Sequence, residues 1–181
     1  LRYVLGHAYL RNIAACTATA NLFGNVAGAV LLVYAVRELG MSAQAIGLAF
    51  SIGATGALLG ALISNRVSTR LGVGPTIIGF AGIGGLALLP LALVPAGTPV
   101  PVLAALVALF GFVTGVSTVV YNVAQVSLRQ AITPTRMQGR MNATMRWFVW
   151  GTIPIGALLG GVLGSVLGVR EAILIGALGE M

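Results

Sequence analysis

The sequence predicts an all-α membrane protein, a six-helix transmembrane bundle whose sixth helix is truncated. Composition is the first reason. The chain is 58% hydrophobic and 7% charged, with mean hydropathy +1.03. A soluble domain carries about 25% charged residues. A soluble fold of 181 residues could not hide so much apolar surface, so the solvent is lipid. The second reason is segment length: uncharged apolar stretches of 20 residues or more recur along the chain. Such stretches are long enough to cross a bilayer as helices. Barrel strands run roughly ten residues with alternating polarity, which this pattern excludes. The third reason is charge placement, because the arginines stand at the ends of the apolar stretches.

The first span is predicted over residues 13–36, apolar except for Thr17, Thr19, Asn21 and Asn25. The second covers 43–63 and leads into a basic link, 64–72, with Asn65, Arg66, Arg70 and Gly72. The third covers 75–94, with Pro90 near its far end. The uncharged link 95–101 contains Pro95, Pro99 and Pro101 and reads as non-helical, since proline lacks the amide donor. The fourth span covers 102–126. A polar loop follows, carrying Arg129, Arg136, Arg140 and Arg146 and no acid. The fifth span covers 147–169. After the short Arg170-Glu171 turn, a sixth opens at Ala172 and runs to Met181. The chain thus reads as a piece of a longer protein, cut at both ends.

Orientation follows from the arginines, since cytoplasmic loops hold the excess of Lys and Arg. With the amino end inside, the inner segments hold Arg2, Arg11, Arg66, Arg70, Arg129, Arg136, Arg140 and Arg146. The outer links hold only Arg37 and Arg170, each beside a glutamate. The prediction is a multi-pass protein of a cell membrane with a cytoplasmic amino end. All basic residues are Arg, a bias consistent with a GC-rich bacterial genome. The net charge of +7 does not signal nucleic acid, because the arginines form no patch or stripe. Cys16 is the sole cysteine, which excludes an internal disulfide and a cysteine zinc cluster. His7 reads as a polar residue ahead of the first span. No cofactor or metal is expected.

Glycines recur at four-residue spacing, one helical face. Gly24/Gly28, Gly56/Gly60 and Gly111/Gly115 are single pairs, which glycine-rich membrane helices show by chance. The row Gly156, Gly160, Gly164 and Gly168 is longer and predicts a close helix contact, where small residues let two backbones approach. Pro154, between Gly151 and Gly156, predicts a kink or flexible point in the fifth span.

Polar residues mark the function. Thr114, Thr118, Tyr121 and Gln125, with Asn122 alongside, form one stripe of the fourth span. Thr17, Asn21 and Asn25 repeat the pattern in the first, with Phe23 nearby. Polar groups facing acyl chains are costly, so both stripes face protein or a water-filled cavity. They act either as hydrogen-bonding glue between helices or as the lining of a solute passage. The first five spans contain no Asp, Glu, Lys, Arg or His, so a carboxylate that couples transport to protons is expected outside these residues. The same absence leaves no catalytic constellation, and an enzyme is not expected.

Two segments resemble a known family. The run Gly60, Arg66, Arg70, Gly72 is similar to the cytoplasmic link between paired helices in the major facilitator superfamily. Asn65 stands near that family's usual acid, which would remove the salt bridge made there. The loop with Pro134, Arg136, Gly139 and Arg140, followed by Gly151, Pro154, Gly156, Gly160 and Gly161, resembles the drug and siderophore exporter branch. That branch includes macrolide-efflux and enterobactin-exporter-like proteins. The resemblance implies the carboxyl-terminal half of a twelve-helix fold, with the missing amino-terminal half as its partner. It implies proton-coupled export of small amphipathic solutes by alternating access. The first and fourth spans would line the cavity through Asn21, Asn25, Thr114, Thr118, Tyr121, Asn122 and Gln125, with Phe23 and Trp150 as apolar contacts. Such a cavity would be neutral. Arg66, Arg70, Arg136 and Arg140 would be cytoplasmic gate or lipid contacts. The alternative is a passive channel or permease subunit built from six-span units.

Overall fold

A computed structural model describes residues 2–95 and 97–181. The described residues are helical with short links: α1 (Arg2–Gly6), α2 (Ala8–Val33), α3 (Ala43–Leu71), α4 (Val73–Ala81), α5 (Ile83–Ala92), α6 (Val100–Ala131), α7 (Thr135–Val166) and α8 (Val169–Glu180). A π-helical turn, Tyr34–Glu38, extends α2. Five helical stretches are long and apolar enough to span a membrane: Ala8–Glu38, Ala43–Leu71, Val73–Ala92, Val100–Ala131 and Thr135–Val166.

Several boundaries differ from those the sequence predicts: most helices start earlier or run on beyond the apolar stretch, whereas α5 stops at Ala92 and α7 at Val166, two and three residues short of the predicted ends. The basic link 64–72 is the last two turns of α3, ended by Gly72 at φ 85°. The four-arginine loop is almost entirely helix: Arg129 belongs to α6, and Arg136, Arg140 and Arg146 belong to α7. Only residues 132–134 connect them. Helix α6 begins at Val100 with Pro101 in its first turn, where proline's missing amide donor costs nothing. A 32-residue helix is about 48 Å long, well beyond a hydrocarbon core of about 30 Å. The ends therefore continue as helix into water, where Arg, Gln, Met and Ala are good helix formers. The third span is two helices, α4 and α5, meeting at Gly82. Helix α7 continues through Pro154.

Helix α2 is central and packs on α7 and α8, while α3 lies along α6, and α5 joins α6 and α8. Two apolar clusters sit at opposite ends of α2. One gathers Tyr34, Leu91, Leu103 and Ile173; the other gathers Val4, Leu10, Met141 and Met145. At the first end, the Tyr34 hydroxyl donates to the Leu91 carbonyl at 3.1 Å, and Arg170 Nε donates to the Ala92 carbonyl at 2.7 Å. The outward faces are apolar: Leu62 and Ile78 are each 79% exposed, as expected where lipid is the solvent. Between the two clusters the interior turns polar.

Candidate functional site

The polar stripes of α2 and α6 meet across the bundle. Thr17 Oγ donates to its own helix at the Ile13 carbonyl, 2.7 Å away. The buried Tyr121 hydroxyl of α6 lies 2.5 Å from that same oxygen. With the threonine hydrogen already engaged, Tyr121 is the donor. Asn21 and Asn25 each donate to the carbonyl one turn earlier, at 2.8 Å, which holds their side chains against α2. Gln125 Nε2 donates to Asn122 Oδ1 at 3.2 Å. Ser117 ties α6 to α4 by donating to the Phe80 carbonyl at 2.6 Å.

Two adjoining pockets open from this bridge, and Thr17, Asn21 and Asn122 line both. The narrower holds about 200 Å³ and is walled by Asn25, Thr118, Tyr121 and Glu180. The wider holds about 500 Å³ between α2, α6 and α7, and is walled by Gln125, Arg129, Arg146 and Trp150. Small-molecule sites are commonly about 300–1,000 Å³, a range that the wider pocket reaches by itself.

Of the residues expected in the cavity, Asn21, Asn25, Thr118, Tyr121, Asn122, Gln125 and Trp150 line one or both pockets. Thr114 lines neither; its hydroxyl donates to the Phe110 carbonyl at 2.8 Å. Phe23 lines neither, and its ring lies against Gly179 of α8. The expected gate residues Asn65, Arg66, Arg70, Arg136 and Arg140 are exposed near the helix ends. Gly60 packs on Val116 of α6. Gly156, Gly160 and Gly164 lie against Leu22, Val26 and Val30 of α2, whereas Gly151 meets open space.

The lining is charged, where the sequence predicts a neutral cavity. Arg129 and Arg146 enter because they continue α6 and α7 instead of hanging in a loop. Glu180 enters because α8 starts at Val169, which carries it about 16 Å along the helix axis. Gly84 and Gly24 leave room for it: a Cβ at residue 84 would overlap the carboxylate, and one at residue 24 would sit 3.7 Å away. Its visible signal was an acid inside the apolar run 172–181. No group of three or more metal-ligating side chains occurs among the described residues.

Long apolar helices around a polar cleft define the class, a multi-pass helical membrane protein with a solute-sized interior site. Within that class, the chain belongs to the Major Facilitator Superfamily, whose family model matches residues 13–179. No curated protein and no solved structure matches it.

Proposed function

We propose that these residues form the carboxyl-terminal half of a proton-coupled exporter of small amphipathic solutes, such as drugs or siderophores, working by alternating access. Membership of the superfamily makes the protein a membrane transporter with a small-molecule substrate and a lipid surrounding. The observation that carries the finer reading is the buried Tyr121–Thr17 bridge between two polar helices, with a pocket on either side. Bundles of six helices paired about a central site are the architecture of this superfamily. Here α2 and α6 are the first and fourth spans and present the cleft. The flanking helices α3 and α7 keep large apolar side chains outward, Leu58 and Leu158 among them, which suits a second bundle and lipid. The arginine asymmetry supports a cytoplasmic amino end for residues 1–181, and the all-arginine basic composition is consistent with a bacterial cell. Glu180 is the one carboxylate lining either pocket among the described residues, so it takes the role of proton carrier.

The test is solute export by the full-length protein. Tyr121→Ala shifts the spectrum of exported compounds while membrane abundance stays unchanged; an unchanged spectrum across a broad panel rejects the cavity. Glu180→Gln abolishes export driven by a pH gradient but leaves solute binding. Gradient-driven export at the wild-type rate in Glu180→Gln excludes that residue as the proton carrier.

A further inference from the structure

We infer that the wider pocket is an anion site, in which Arg129 holds the acidic group of an amphipathic organic anion beside the Trp150 ring. This rests on the transporter reading of the same cleft and narrows its substrate class. Arg129 is only 9% exposed, and its buried Nε has no hydrogen-bond partner. A buried guanidinium without a counter-charge is costly, and buried charges are normally paired. No carboxylate lines this pocket. Of the three glutamates, Glu38 and Glu171 lie at the opposite end of the bundle, and Glu180 lines the narrower pocket. The counter-charge is therefore missing from these residues, at the wall of a cavity of about 500 Å³.

The rest of the wall fits an anion with an apolar body. Arg146 supplies a second guanidinium, 4.5 Å above the Trp150 ring. Trp150 is 59% exposed and offers an aromatic surface beside that charge. Asn122 and Asn142 bring amide groups to the same pocket. A planar fork suits carboxylate, sulfonate or phosphate oxygens, which accept two parallel N–H bonds. The pocket continues to Asn21 and Asn122, which also line the narrower one, so an occupant lies on the polar path between α2 and α6.

The test uses the purified full-length protein in phosphatidylcholine nanodiscs. The probes are anilinonaphthalenesulfonate and its uncharged parent, N-phenylnaphthylamine, which share a skeleton and differ in the sulfonate. The wild type binds the sulfonate above empty discs, and benzoate displaces it while benzamide does not. Arg129→Gln weakens sulfonate binding about tenfold, Arg129→Lys recovers part of it, and the neutral probe stays within about twofold. Absence of sulfonate binding by the wild type, displacement by benzamide as well as benzoate, or equal loss of both probes overturns the proposal. If Arg129→Gln does not fold, the wild-type competition and Arg146→Gln, which selectively weakens the sulfonate, decide. Displacement of the sulfonate by added phosphatidylglycerol reassigns the pocket to lipid headgroups and overturns the solute claim. Arg129-dependent binding without flux in energised vesicles rejects the transport reading and keeps the anion site; flux of the sulfonate that ignores Arg129 does the reverse.

Discussion

Tyr121 bridges the two polar helices and walls the narrower pocket, so its hydroxyl and its ring can be separated experimentally. The hydroxyl is spent on Thr17, 2.5 Å away and buried. Interhelical hydrogen bonds within membranes average about 0.6 kcal/mol and reach about 1.7. A double-mutant cycle of Tyr121→Phe and Thr17→Val, read by unfolding in mixed micelles, should give a coupling within that range. A coupling near zero would mean that the bridge contributes nothing to holding α2 against α6. The stripe itself was legible: four residues at four-, three- and four-residue spacing on one helix face. That Thr114 lies off the pockets was not, because a hydroxyl satisfied by its own helix looks the same in sequence as one facing a cavity. Arg129 was legible as a charge but not as a buried one.

At the scale of elements, glycine seams set how closely helices approach. Along α3 and α6, Gly53 faces Gly111, Gly56 faces Phe112, and Gly115 faces Ala57. Each pair alone was unremarkable in the sequence; the seam exists because two pairs on different helices come into register. On α7, Gly160 meets the Val26 backbone of α2, whereas its neighbour Gly161 meets open space. Leucine at 160 would have to push two backbones apart, an overpacking cost of about 1–3 kcal/mol. Gly160→Leu should therefore lower folded yield and melting temperature, and Gly161→Leu should leave both nearly unchanged. Equal losses at the two positions would reject the seam as their source, since leucine is the better helix former at both. Boundaries were the least legible feature of the elements. Hydropathy marks where the chain is apolar, whereas helix continues wherever backbone and side chains favour it, as in 64–71 and 127–131.

For the whole molecule, the arginine asymmetry makes a claim about sides. In a cysteine-free background of the full-length protein, a membrane-impermeant maleimide added to intact cells should label Thr98→Cys and spare Gln138→Cys. The reverse pattern would invert the topology and put Arg129 and the wider pocket at the outer surface. The sequence by itself determined the solvent, the all-helical class, the five long apolar spans, the expected sidedness and which helix faces are polar. These follow from local composition and period, because lipid enforces them segment by segment. Only the tertiary structure decided that Thr17 and Tyr121 meet, that Gly24 and Gly84 make room for Glu180, and that Arg129 is buried without a partner. Those depend on the rotation and axial register of one helix against another. In lipid that register is set by close packing of small residues, a term that no single segment carries.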